Sequence, residues 1–342
     1  MHDLNEREKL VLEAIVRNYI LTTNPVASTY IARHSHLALS PATIRHIMGS
    51  LEEKGYIYQP HPSAGRIPTT MGYRIYVDEM MGRTRLSKQH KEQICQAIRQ
   101  NPGDLENLLK EATRILAHLS RQLGIIISPH LGEGVFHRME ITQLSSERLL
   151  IVISIKSGLV KTIVLELHSS IQPDQLDLLK QILNERLEGL KLKEIRNRFK
   201  EIVQDLGEDD TGLIRLFIST AERIFDFSDD NDVYITGTHN ILRQPEFLDT
   251  QKFSGIVELL EDKKIIIHLL DRSIATQDWN VKIGEEIGEQ RMDGCSIIAA
   301  RYRIGQVNGT LGIIGPTRMD YSHLVPLVNF TAQMLSQPLE ND

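Results

Sequence analysis

The side chains equipped to grip phosphate and read base edges gather near the start of the chain. Between residues 25 and 76, Arg33, Arg45, Lys54, Arg66 and Arg74 stand against only Glu52 and Glu53, five cations against two carboxylates, while the whole 342-residue chain carries −6. His34, His36, His46 and His61 fall in the same stretch. Phosphate neutralisation supplies most non-specific affinity for nucleic acid, so an acidic protein that binds it must concentrate its positive charge. Ser40, Ala42, Thr43, Arg45, His46, Gly49 and Ser50 are the candidates for base edges and flanking phosphates, and His61, Ser63, Gly65 and Arg66 for a second contact with backbone or minor groove. Small residues such as Ala42 and Gly49 let a helix backbone come close to its target.

These residues need a helix and a turn to hold them. Ser40 before Pro41 is a helix start: the hydroxyl caps an orphan amide, and proline at the first helical position needs no donor. At 100° per residue, Ile44, Ile47, Met48 and Leu51 share one face, with Ala42, His46 and Gly49 roughly opposite. Gly55 can turn left-handed and stop the helix, and Tyr56, Ile57 and Tyr58 read as a short strand. Pro60, Pro62 and Gly65 punctuate a turn that Arg66 ends before Ile67 and Pro68. Upstream, Asn5 with Glu8 resembles a capping box for a helix along Leu10, Val11, Ala14, Ile15 and Tyr19 that ends before Pro25. Ser28 can cap a short second helix through His34. Three helices followed by a hairpin is the winged helix-turn-helix plan, whose last helix enters the DNA major groove. A winged helix used for protein contacts satisfies the same pattern.

Three runs add specificity: Ser40-Pro41-Ala42-Thr43-Ile44-Arg45, then Pro60-His61-Pro62-Ser63-Ala64-Gly65-Arg66-Ile67-Pro68-Thr69, then Gly72-Tyr73-Arg74-Ile75-Tyr76-Val77-Asp78. With Asn308-Gly309-Thr310-Leu311-Gly312-Ile313-Ile314-Gly315-Pro316-Thr317-Arg318-Met319-Asp320-Tyr321 near the other end, they resemble the HrcA family of bacterial heat-inducible transcription repressors over essentially the full chain. Departures stand at Pro62, where the family commonly has Thr, at Ala27, where it has Gly, and at His46-Ile47, where it has Asn-Asp. The resemblance implies an α+β protein with three parts: a winged helix-turn-helix domain, a GAF-like antiparallel sheet domain, and a mostly helical dimerisation domain inserted in the latter. It also implies a homodimer on an inverted-repeat operator in double-stranded DNA before heat-shock chaperone operons, with activity modulated by the GroE chaperonin.

The length predicts two or three domains, and 41 % hydrophobic with 25 % charged residues is ordinary for a globular protein. The polar start and the lack of any apolar run of about 18 residues lead us to expect a cytoplasmic protein without a membrane segment. Cys95 and Cys295 stand alone and read as free thiols. After a helix from Thr70 to Met81, the polar stretch from residue 83 to 104 marks a boundary, so the expected divisions are 1–85, a linker over 86–104, then 105–190, 191–250 and 251–342. Leu105, Leu108, Ala112, Leu116, Leu119 and Leu123 trace an amphipathic helix. Strands are expected at 124–127, 135–144, 149–155 and 159–167, and a late hairpin at 295–302 and 307–314, followed by a helix along Tyr321, Leu324, Val328, Ala332 and Leu335. Leu192, Ile195, Phe199, Ile202 and Leu206 repeat as the seam of a short coiled coil, and we expect this seam to form the dimer contact; packing within one chain is the alternative. Trp279 is expected in the core.

Catalytic constellations are thin. The chain has no Gly-rich phosphate loop with its lysine, no His-Glu-x-x-His and no Gly-x-Ser-x-Gly. Asp229, Asp230 and Asp232 suggest a calcium loop, but its twelfth position, counted from Asp229, is Asn240 rather than glutamate. His137, His239 and His268 lack ligand spacing. No cofactor and no metal are expected, and no enzyme. Beside the repressor stands a variant switched by a small ligand in a pocket of the GAF-like domain, which a hollow lined by convergent polar groups would favour.

Overall fold

The computed structural model describes residues 4–35, 37–82, 85–99, 105–129, 131–156, 158–166, 173–204, 213–225, 232–274 and 278–337. It is a mixed helix and sheet protein. Asn5 and Glu8 cap each other's amides at the start of α1 (Glu6–Thr22), as the spacing predicts. α2 (Ser28–His34) follows, with Ala27 as its cap residue; Ser28 is the first helical residue instead, and is buried. α3 (Pro41–Glu53) begins on Ser40 and ends before Gly55, whose φ of +80° is the left-handed turn that glycine makes without a steric cost. Strands β1 (Ile57–Tyr58) and β2 (Ile67–Pro68) pair antiparallel. The helix expected over 70–81 divides into α4 (Thr70–Ile75) and a π turn over Tyr76–Met80, closed by the Met81 amide on the Tyr76 carbonyl at 2.7 Å.

The larger sheet has five antiparallel strands in the order β7-β3-β10-β9-β8: β3 (Leu123–Ile127), β7 (Val233–Thr236), β8 (Trp279–Ile283), β9 (Cys295–Ile304) and β10 (Val307–Pro316). Helices cover both of its faces. Leu123, Ile125, Ile127, Ile297 and Ala299 pack with Ile256 and Leu259 of α11 (Thr250–Glu261) and Ile266 and Leu270 of α12 (Lys263–Ser273). The alternate residues Ile126, Ile298, Ala300, Leu311 and Ile313 join the cluster formed by α5 (Lys88–Arg99), α6 (Leu105–Ser120) and α13 (Tyr321–Leu335). A period of two along the strands thus divides one sheet between two cores. The segment 252–270 is two helices because Ile256, Leu259, Ile266 and Leu270 recur at helical spacing.

The chain leaves this sheet after β3 and returns in β7, which pairs with β3. Between them, β4 (Phe136–Ser145), β5 (Arg148–Ile155) and β6 (Val160–Glu166) form a separate three-stranded antiparallel sheet. The excursion from the larger sheet thus begins just after Ile127 and ends before Val233, where the expected divisions fall at 190/191 and 250/251. Its inner face, with Leu149, Ile151 and Ile153 buried, packs on α7 (Pro173–Leu187), where Asn184 bonds both the amide and the carbonyl of Met139 at 2.7 and 2.8 Å. The outer face exposes Val160 at 58 % and Val164 at 42 %, beside half-buried Leu150 and Val152, and β6 is its edge.

The residues of the coiled-coil seam pack within the chain. Leu192, Ile195 and Phe199 of α8 (Leu192–Ile202) are almost wholly buried against Phe217, Ala221 and Ile224 of α9 (Leu213–Ile224), and the Phe199 and Phe225 rings lie 5.4 Å apart. Ile202 is half-buried in the same cluster, and Leu206 lies outside the described residues. Two consecutive amphipathic helices bury their stripes in each other, which satisfies the seam within one chain. Trp279 is not core: it is 38 % exposed at the sheet edge. Cys295 is buried, and burial pushes its thiol up to about 12, so it stays protonated near neutral pH. Among the described residues no helix is long and apolar enough to cross a membrane.

Candidate nucleic-acid interface

The Ser40 hydroxyl accepts from the Thr43 amide at 3.1 Å and lies 2.9 Å from the Thr43 hydroxyl, so both side chains build the start of α3. Ile44, Ile47, Met48 and Leu51 are buried toward α1 and α2, where Val11, Leu12, Ile15 and Ile31 complete the core. Burial of that kind contributes roughly 1.5–3 kcal/mol per large aliphatic side chain and fixes which face of α3 looks outward. That face carries exposed Ala42, Arg45 and His46, with Thr43 and Gly49 half-buried. A Cβ added at Gly49 would meet nothing within 4 Å. The surface there is open.

Ser50 is turned to the flank: its hydroxyl donates to Glu8 at 2.7 Å. Glu8, only 4 % exposed, also accepts from Lys54 at 2.7 and 2.9 Å. Burial alone pushes the Glu8 carboxyl up, but the bonds from Lys54, Asn5 and Ser50 outweigh it and hold the group below the usual carboxylate range.

The turn between β1 and β2 is shaped by Gln59, whose side-chain amide donates to the carbonyls of Pro62 and Ala64 at 2.8 and 2.9 Å. His61, Pro62 and Ser63 are left exposed at its tip. Gly65 is required by the protein's own backbone: a Cβ would lie 2.4 Å from the Val26 carbonyl carbon. Val26 and Arg66 exchange backbone hydrogen bonds at 2.9 Å each, which adds a third short extended segment to the hairpin. The Arg66 guanidinium, expected to be free for phosphate, bonds Glu52 at 2.9 and 3.0 Å and straps the hairpin to α3.

The positive charge available is thus smaller than the count of basic residues suggests. Lys54 is paired with Glu8, Arg66 with Glu52, and Arg74 with Asp78 and Glu286. Among the described residues, no carboxylate pairs with Arg33 or Arg45. Arg45 lines a cleft of about 390 Å³ between the start of α2, α3 and the hairpin, shared with Ser28, Thr29, Gln59 and Ser63. Val26 and Gln59 escaped the sequence reading, and Glu8 and Glu52 entered it only as a cap and as a charge, not as the partners of Lys54 and Arg66.

Arg74 joins this unit to the larger sheet. Its guanidinium donates to Glu286 at 2.8 Å and to the Val281 carbonyl at 2.6 Å, while Glu286 accepts from the Ile283 amide at 3.0 Å. Burial lowers the Arg74 pKa, and the Glu286 and Asp78 carboxylates outweigh it and raise it overall. Tyr73 beside it lies 6.1 Å, ring to ring, from Tyr321. The nearby Arg318 pairs with Glu246 and donates to Gln244 at 2.8 Å. Among the described residues, no group of three or more His, Cys, Asp or Glu is disposed to hold a metal.

The model of the HrcA protein C-terminal domain matches residues 106–325. The heat-inducible transcription repressor HrcA of Chlorobium chlorochromatii is 40 % identical, with 98 % of each chain covered. The HrcA repressor of Geobacter sulfurreducens is 35 % identical over all of both chains. A crystal structure described as a hypothetical protein superposes with a TM-score of 0.66 at 25 % identity, covering 98 % of each chain.

Proposed function

Since the chain belongs to the HrcA family, whose members are heat-inducible transcription repressors and not enzymes, we propose that α3 with the β1–β2 hairpin is a winged helix-turn-helix reading an inverted-repeat operator. The observation that carries this reading is the outward face of α3, open at Ala42, Arg45, His46 and Gly49 and fixed by a buried opposite face. Thr43 and His46 face base edges; Arg45 meets a phosphate from the cleft; His61 and Ser63 at the wing tip approach the flanking backbone. In this reading residues 4–82 are the DNA-binding domain, the five-stranded sheet with its helices is the GAF-like domain, and residues 128–232 are the inserted dimerisation domain. The protein acts in the cytoplasm on heat-shock chaperone operons. Sequence selection on random duplex DNA tests this: an enriched inverted repeat is expected, and an unenriched pool overturns it.

Within that interface the two arginines separate. Arg45→Ala should weaken operator and scrambled duplex alike and reduce the salt slope by about one unit, the signature of one lost phosphate contact. Arg66→Ala should act through the fold, lowering the melting temperature of the wing because Glu52 loses its partner. Thr43→Ala and His46→Ala should relax preference at particular base pairs by roughly 1–3 kcal/mol. Titrations of matched and scrambled duplexes at several salt concentrations decide between them. Sequence preference altered by Arg66→Ala and untouched at Thr43 and His46 would rule α3 out as the reader.

The second copy of the dimer docks on the outer face of the three-stranded sheet, where Val160 and Val164 are exposed on an edge strand. Modulation by the GroE chaperonin follows from the family reading. It gains support from a sheet that is completed only after the chain has crossed residues 128–232 and come back, a non-local pairing that slows folding. Purified repressor should bind operator with a larger active fraction when chaperonin is present. Equal fractions with and without it count against this part.

A further inference from the structure

A basic cleft of about 550 Å³ lies on the larger sheet's flank, away from α3 and the wing. Arg114 and His118 line it from the last turns of α6, Arg121 from just past that helix, and His239 and Arg243 from α10 (Thr238–Leu242) and its end. Thr236 and Gly237 carry β7 into it. Among the described residues its lining contains no aspartate and no glutamate. Among the described residues, Arg114 alone of its cations forms an ion pair with a carboxylate, Glu111, at 2.6 Å.

Cations near a helix C-terminus are ordinarily explained by the helix dipole. That accounts for Arg114 and His118. It covers His239 and Arg243 at the end of α10 too, but it does not explain why two helix ends bring their cations to one cleft, and it leaves out the backbone of Arg121. Arg121 has a φ of +54°, in the left-handed region where glycine or asparagine ends most helices. An arginine held there against its backbone preference is an outlier that points to its side chain being used. The floor of the cleft is built: Asn240 donates to the carbonyls of Ala117 and Gln122 at 3.2 Å each, and Gln244 contacts the buried Gln122 side chain.

We propose that this cleft binds a small phosphorylated molecule, its phosphate groups held in the guanidinium forks of Arg121 and Arg243, and that its occupancy is felt by the DNA-binding domain. Arginine matches the tetrahedral oxygens of phosphate in pairs, and Arg121 and Arg243 lining one cleft from two elements suit a multiply charged anion. Gln244 leaves the cleft wall to accept from Arg318 at 2.8 Å; the carbonyl of the adjoining Thr317 accepts from the Tyr321 hydroxyl at 2.6 Å, and the Tyr321 ring lies 6.1 Å from that of Tyr73 on α4. A ligand that engages Gln244 therefore pulls on a contact reaching the winged unit. This second half rests on the DNA-binding reading above; the first half does not.

Inorganic pyrophosphate is the probe, titrated calorimetrically into the full chain without divalent cations and at matched ionic strength. One saturable site per chain is expected, weakened at least tenfold in Arg121→Gly, a substitution that also relieves the backbone and so keeps or raises the melting temperature. No saturation, or equal binding by wild type and variant, overturns the site. Pyrophosphate should shift operator affinity at least threefold in wild type and leave Arg121→Gly unmoved; binding without that shift overturns the control. If Arg121→Gly instead weakens operator binding without pyrophosphate and lowers the salt slope, the cleft is a DNA contact and the proposal fails. A wild type that ignores every duplex sinks the DNA reading while the pyrophosphate titration still judges the site.

Discussion

Glu8→Gln is expected to destabilise the N-terminal unit by about 2–3 kcal/mol near neutral pH, a discounted value because removing one member of a buried pair costs about 3–5 kcal/mol when both charges are fully dry. Lys54 is about a quarter exposed, with 26 % of its side chain accessible, and so recovers part of its hydration. The loss should be felt across both helices, since Glu8 on α1 accepts from Ser50 of α3 and from Lys54 at its end. The sign of the pH dependence follows from the lowered carboxyl. A carboxylate held lower in the folded state than in the unfolded one stabilises the fold above the unfolded value, about 4.3, and that contribution disappears as pH falls through the folded value. Wild type should therefore lose stability in the acid range where Glu8→Gln stays flat, and the two should converge. Urea midpoints for α1 and α3 amides by hydrogen exchange measure this. A variant as stable as wild type near neutral pH would mean the Lys54 pair contributes nothing.

That clamp shows what a sequence can and cannot display. Ser40, Pro41 and Gly55 announce α3 because capping and left-handed turns are local chemistry, and the structure ends the helix where those residues require. The hairpin turns in the three-stranded sheet are equally local, as Ser145-Ser146-Glu147 makes plain. What a sheet pairs with is not local. Nothing in Leu123–Ile127 tells that its neighbours are Thr310–Ile314 on one side and Val233–Thr236 on the other, so β4–β6 read as its continuation. Charge pairing is hidden for the same reason: Arg66 and Arg74 count as free cations until Glu52 and Glu286 are brought beside them. Of the candidate site, Ala42, Arg45, His46 and Gly49 lie on the outward face, while Ser50, Gly65 and Arg66 serve the unit's own packing.

The dimer contact is where the two kinds of apolar surface part company. An amphipathic stripe says that something must cover it, without saying what; Leu192, Ile195 and Phe199 are covered by α9 of the same chain. Leu192→Ala should accordingly cost about 2–5 kcal/mol of stability, as core truncations do, and leave the association state unchanged in the folded protein. The outer face of the three-stranded sheet behaves oppositely. Val160 and Val164 touch no core, so Val160→Glu with Val164→Glu should leave the circular dichroism and melting temperature near those of wild type. On the dimer proposed above, it should leave a monomer in sedimentation equilibrium where wild type is a dimer, because paired carboxylates cannot be buried against their own copies without a large desolvation cost. Operator affinity should then fall by roughly 10²–10⁴, since the second half-site loses the effective concentration that tethering provides. Affinity for a single half-site should not change, which separates lost dimerisation from damage to α3. A double variant that remains dimeric would move the interface off this sheet.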